Sequence, residues 1–201
     1  QLFAYSNGDA GIDVALAAIG KAIAATGKTG DRRTSIAHSY FARQDQLESY
    51  RKYNIGASMM PPHMMVYGDL QAKLLGPERA SMESPLASAL NSGLNTMIHC
   101  DCPSASPNMM EAVQTAVTRT TLGGQVFGPQ ERISPYAALL GATRNVAYSY
   151  REEALKGTIA AGKVADLVIL DADPLKVAPD KIRDIKVVET IKRGRTIYRR
   201  G

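Results

Sequence analysis

The chain has 201 residues, of which 45% are hydrophobic and 21% charged, with two cysteines and a formal net charge of +5. Those proportions suit a globular chain of one large domain or one and a half smaller ones, long enough to bury a core. They exclude a disulfide scaffold, and no apolar run reaches the ~18 residues that a membrane-spanning helix needs.

In chain order, short apolar runs alternate with helical patterns through residue 150, the texture of βα units around a parallel sheet. Leu2–Tyr5 reads as a strand. Asp9 after it is placed to cap a helix whose apolar stripe is Ile12, Leu16, Ile19 and Ile23. Thr34–His38 is a second strand, followed by a helix over Gln44–Tyr53 with Leu47 and Tyr50 inward. Ile55–Met59 is a third strand, ending at the turn Met60-Pro-Pro-His63. A long excursion, Met64–Glu83, is expected to be a functional, lid-like loop, ahead of a helix near Pro85–Asn91. Leu94–Asp101 reads as the fourth strand. Ser106-Pro107 and Ser134-Pro135 each match a helix opening, with the first helix showing Met109, Val113, Ala116 and Thr120 on one face.

Past residue 150 the pattern changes to a β module. Gly157–Asp171 is a turn and an apolar strand, and Ile185–Lys192 and Thr196–Tyr198 form a hairpin through Arg193-Gly194. The positive charge concentrates here, with 12 Lys+Arg against 8 Asp+Glu in residues 151–201. Arg193, Arg195, Arg199 and Arg200 fall in an alternating strand pattern, which marks a solvated hairpin face and sets nucleic-acid binding aside.

The four strands of the first part end in Tyr5, His38, the turn carrying His63, and Asp101. Ligands bind at the C-terminal ends of parallel strands, in open sheets and barrels alike. A His and an Asp meeting there can hold a divalent metal, and a metal lowers the pKa of a bound water until it is a nucleophile near neutral pH. Each residue also has a plain structural reading: His38 as a satisfied strand-end residue, His63 as part of a proline-stiffened turn, Asp101 as a turn cap. In Met97-Ile-His-Cys-Asp-Cys-Pro-Ser104, strand alternation puts His99 and Asp101 on one face and the two cysteines on the other. That separates the thiols from the carboxylate and argues for free cysteines packed outward as small hydrophobes.

Six stretches are similar to the C-terminal half of the amidohydrolase superfamily, in the branch often called amidohydrolase family 3, which includes formamide deformylase-like proteins. They are Tyr5-Ser-Asn-Gly-Asp-Ala, Ile36-Ala-His-Ser, Met60-Pro-Pro-His-Met-Met-Val-Tyr-Gly-Asp69, Gly76-Pro-Glu-Arg79, His99-Cys-Asp-Cys-Pro103 and Lys156–Asp171. They run in the family's order over nearly the whole chain.

The resemblance implies an α/β fold: residues 1–150 as the second half of a metal-dependent (β/α)8 TIM barrel, residues 151–201 as C-terminal strands of a composite β-sandwich. It implies a hydrolase cleaving a non-peptide, amide-type C–N bond with a divalent metal, zinc by preference, as cofactor. Position by position, it implies His38 and Asp101 as metal ligands, Asp101 as catalytic proton shuttle, His63 as a catalytic group facing the substrate, and Tyr5 beside the substrate. Tyr5 stands where the family has a histidine, which leaves one metal or two open, and with it the alternative of a non-catalytic binding protein on the same pocket. The expected partners are a small amide-type substrate and the missing N-terminal half or a partner chain, with a homodimer open. The absence of an initiator Met is read as a processed or partial chain, and the compartment is undetermined between cytoplasm and export.

Overall fold

The structure, a computed structural model, describes residues 1–201. Strand β1 (Phe3–Ser6) leads into helix α1 (Asp9–Thr26), β2 (Ser35–His38) into α2 (Gln44–Lys52), and β3 (Gly56–Met59) into α3 (Pro61–Leu75). Two short helices, α4 (Pro77–Ser81) and α5 (Leu86–Asn91), precede β4 (Thr96–Ile98), and α6 (Met109–Thr118), α7 (Pro135–Ala142) and α8 (Arg144–Ser149) follow it. The chain closes with β5 (Leu167–Leu170), a 3-10 turn at Pro179–Asp184, β6 (Val187–Lys192) and β7 (Arg195–Arg199).

β1 to β4 pair side by side in chain order, all parallel. Their register sets Ser6 beside His38, His38 beside Met59, and Met59 beside Ile98, so the last residues of all four strands form one row. Helices cover one face: Ile12 and Leu16 of α1, Leu47 and Tyr50 of α2, Leu86 of α5 and Val113 of α6 join Ile36, Ala57, Met59 and Ile98 in one buried cluster. Full burial of such side chains contributes about 1.5–3 kcal/mol each.

β5, β6 and β7 form a separate antiparallel sheet with β6 in the centre. The expected hairpin is there, and its two loop residues, Arg193 and Gly194, both take positive φ (50° and 74°), the backbone of a turn that matches strand twist. Ile182 and Ile185 between β5 and β6 are buried in the main cluster and stitch this part of the chain to it. Two of the tail arginines meet carboxylates: Arg199 is 2.9 Å from Glu189 and Arg200 3.5 Å from Asp171.

Several local expectations are corrected. Asp9 does not cap α1; the extended cap residue is Gly8, and Asp9, already helical, turns its carboxylate to Arg79 at 2.9 Å. Met64–Glu83 is no loop. Pro61 and Pro62 occupy the first helical positions, where proline's fixed φ helps and its missing N–H costs nothing, and α3 then buries Met64, Met65 and Gly68. His63 therefore sits in a first helical turn. Ser106-Pro107 does not open α6 either: Ser106 Oγ accepts from the Asn108 amide, and Asn108 is the cap, accepting from Met110. α6 buries Met110, Ala112, Val113, Thr115 and Ala116, and Thr120 lies beyond its end.

β4 stops at Ile98, and Asp101 has a left-handed φ of 51°, so alternation does not run on through Asp101. In consequence the two thiols part: Cys100 is buried in the main cluster and Cys102 is exposed, contrary to the expectation that both pack as hydrophobes. Ser134 does cap α7, its hydroxyl accepting from the Ala137 amide at 3.1 Å.

Ile12 has no exposed surface, whereas Val14, two residues along the same helix, is 71% exposed. Ile12→Ala should lower unfolding free energy by about 2–5 kcal/mol and Val14→Ala by under about 0.5 kcal/mol, read by urea denaturation.

Candidate active site

The row of strand ends carries the candidate residues onto one rim. His38, the last residue of β2, is 2% exposed and has φ 71°; Ser39 follows at φ 48°. Two consecutive left-handed L-residues cost roughly 1–2 kcal/mol each, a strain that neighbouring contacts must hold in place. The contacts are specific. The Ser39 amide donates to Ser6 O, Ser39 Oγ donates to Ile36 O at 3.1 Å, and Tyr40 Oη lies 2.8 Å from His38 Nδ1. The Tyr40 hydroxyl also donates to Met60 Sδ at 3.2 Å. In the Nδ1–H tautomer of His38 the phenol accepts from the ring, and Nε2 keeps its lone pair.

Aromatic rings continue this contact across the rim. Tyr5 meets the His38 ring edge-on at 4.2 Å between centroids, Tyr40 stacks on His63 at 4.2 Å and 21°, and Tyr67 lies 4.7 Å from His63. Tyr40 thus touches both histidines. Its phenol is held protonated, pushed far up by burial and then by the negative charges of Glu83 and Asp101.

His99 follows β4 and donates its amide to Met59 O at 2.9 Å, while its Nε2 is buried without a partner. Its ring centre is 5.0 Å from that of His38. Burial, and then His38, bring the His99 pKa down to about 4. Burial also lowers the pKa of His38, against the pull of Asp101. Both rings are therefore neutral at pH 7, the form that ligates metals. Asp101 is exposed, accepts from Ser104 Oγ at 3.3 Å, and is near enough for its charge to act on both rings.

No three His, Cys, Asp or Glu side chains of the chain come together as a set that could hold a metal ion. His38, whose Nδ1 side is taken up by Tyr40, and Asp101, with an accessible carboxylate, are of the donor types that a divalent metal takes. A ligating histidine whose other ring nitrogen is hydrogen-bonded is the usual arrangement.

Behind His63 lies a polar assembly that sequence reasoning did not find. Glu83, with 0% side-chain exposure, places Oε1 2.6 Å from His63 Nδ1. The turn carrying it is clasped by Arg119, itself 1% exposed, which donates to Glu83 O at 2.6 Å, Ser84 O at 2.9 Å and Phe127 O at 2.8 Å. Burial depresses the Arg119 pKa to about 10, so it is still charged at neutral pH. Gly128 packs against the same turn: a Cβ there would lie 2.1 Å from Ser81 O, so only glycine fits. The Ser84 amide donates to Tyr40 O at 2.7 Å, joining the turn to the residue between the histidines. No sequence pattern marked it: Glu83 stands in Ser81-Met-Glu-Ser84 and Arg119 in Thr118-Arg-Thr120, settings typical of solvent-facing residues.

The sequence profile of the amidohydrolase family matches residues 1–198. The chain belongs to that family. Protein LONG AFTER FAR-RED 3 of Arabidopsis thaliana is 32% identical over 184 residues, 85% of this chain and 32% of that protein. The N-substituted formamide deformylase of Arthrobacter pascens is 27% identical over 166 residues, 82% of this chain and 31% of that enzyme. Among solved structures, an uncharacterized metal-dependent hydrolase from Pyrococcus furiosus is 28% identical with a TM-score of 0.68, over 87% of this chain and 34% of its own. The chain thus spans about a third of the length of these relatives. The fold is the C-terminal part of an amidohydrolase (β/α)8 barrel with a separate antiparallel sheet, as the family motifs implied. No helix is long and apolar enough to cross a membrane.

Arg119→Leu would strip the donors from three buried carbonyls, each worth about 1–3 kcal/mol when left unmet, and should lower thermal stability sharply. Arg119→Lys, with one nitrogen in place of three, should recover only part of the loss in the same melting experiment.

Proposed function

We propose that these residues form one side of a hydrolase site that cleaves an amide-type C–N bond. The reading is supported above all by the convergence of His38, His63 and Asp101 on one rim around Tyr40, in a chain of the amidohydrolase family. In this reading residues 1–150 are the second half of the barrel, residues 151–201 belong to a composite β-sandwich, and the first half of the barrel lies outside this chain.

A divalent metal, zinc in our reading, held by His38 Nε2 and Asp101 with donors from the other half, would supply Lewis-acid activation of a water. Asp101, on the exposed side of the rim, would take one proton from the attacking water and return it to the leaving nitrogen. The water oxygen bonds to the carbonyl carbon, the C–N bond breaks, and an acid and an amine leave. His63 faces the carbonyl oxygen and stabilises the negative charge that develops on it. Tyr5, 70% exposed above the His38 ring, provides an apolar wall for the substrate. The relation to an N-substituted formamide deformylase makes such a formamide the first substrate to assay.

In the full-length protein, Asp101→Asn should abolish formate release from an N-substituted formamide while leaving the melting temperature within a few degrees. Retained turnover would sink the assignment. A second reading, a binding protein that performs no chemistry, draws on Tyr5 standing where the family has a histidine. Metal analysis separates the two: gently purified full-length protein without a stoichiometric transition metal, and inert on re-addition of zinc, would favour binding.

A further inference from the structure

We propose that Glu83 is the positioning residue of His63: its buried carboxylate takes the Nδ1 side of the ring and leaves Nε2 as the atom that meets substrate. The inference rests on the reading of His63 as a substrate-facing group. It concerns a residue outside the six stretches in which this chain resembles the family.

Three observations carry it. The Oε1–Nδ1 distance of 2.6 Å is that of a charge-assisted hydrogen bond, short for an N–H···O contact. The carboxylate has no exposed surface while His63 retains 21%, so the pair has a protein side and a solvent side. The two rings that flank the imidazole, Tyr40 and Tyr67, restrict its rotation.

Glu83 itself cannot drift. Its backbone carbonyl and that of Ser84 are held by Arg119, and Ser84 N is tied to Tyr40 O. A lone buried carboxylate would be costly, and burial does push the Glu83 carboxyl upward; the hydrogen bond from His63 and the charge of Arg119 act against that push. Arg119 contacts backbone carbonyls rather than the carboxylate, which leaves Oε1 to the histidine, while the Gln71 side chain also acts on the acid. An imidazole whose one nitrogen is fixed by a buried acid presents the other in a single orientation, which is the role of the carboxylate in acid–histidine pairs generally.

The test uses full-length protein labelled with 15N-histidine, the His63 signals being those that vanish in His63→Asn. Wild type should show a low-field proton on Nδ1, and Glu83→Gln, which keeps the shape but removes the charge, should move it upfield or lose it. A wild-type ring without that proton overturns the proposal, and so does a proton unchanged in Glu83→Gln. A purely structural Glu83 gives this last result, with a lowered melting temperature alone. Should Glu83→Gln fail to fold, Glu83→Asp, which retains the charge but shortens the reach, must shift the same resonance, and an unshifted one overturns the proposal. If His63→Asn still releases formate, the catalytic reading of His63 fails, while the resonance still decides the pairing.

Discussion

Parallel pairing in register is the constraint from which the rest follows. Once Ser6, His38, Met59 and Ile98 are aligned as strand ends, whatever follows each must emerge at the same edge of the sheet. Apolar side chains earlier in the strands pack under the helices, and polar ones gather where the ladder stops. The site is thus a by-product of sheet geometry, and its residues need no proximity in sequence.

A second layer gives the rim its stiffness. Arg119 ends α6 in a left-handed conformation, with φ 56°, and its side chain enters the protein rather than the solvent. A guanidinium in that setting is expensive to desolvate, and a ring of carbonyl oxygens offsets the expense because five N–H donors lie in one plane. What the molecule gains is a turn, Ser81–Ser84, that is fixed on both sides by groups remote in the chain. Gly128 belongs to the same arrangement by what it lacks, since any side chain there would displace the Ser81 carbonyl.

Much of the fold was legible because it rests on local signals. Short apolar runs located the four strands, the 4-3-4 spacing located α1, and Ser134 announced α7 through a hydroxyl that needs only its neighbours' amides. The misreadings also have local causes. Pro61-Pro62 looks like a loop signal, yet proline is equally at home in a first helical turn, and the tertiary burial of Met64 and Met65 settles between the two. Asp101 was found for its motif but misplaced by alternation, because nothing in the sequence marks Ile98 as the last strand residue. Tyr40, Glu83 and Arg119 stayed hidden for a different reason. Glu83 and His63 lie 20 residues apart and Arg119 and Glu83 36, while Tyr40, two residues from His38, meets Met60 across 20, and no spacing rule covers such pairs.

Tyr40 bridges the two histidines, its hydroxyl on one and its ring face on the other. The two histidines therefore do not behave as independent sites. Energetic effects of replacing them share a term that runs through one phenol, so the double replacement will not equal the sum of the singles, and the shortfall measures how strongly one side of the rim senses the other. A mutational survey that scores these positions one at a time would count that shared term twice.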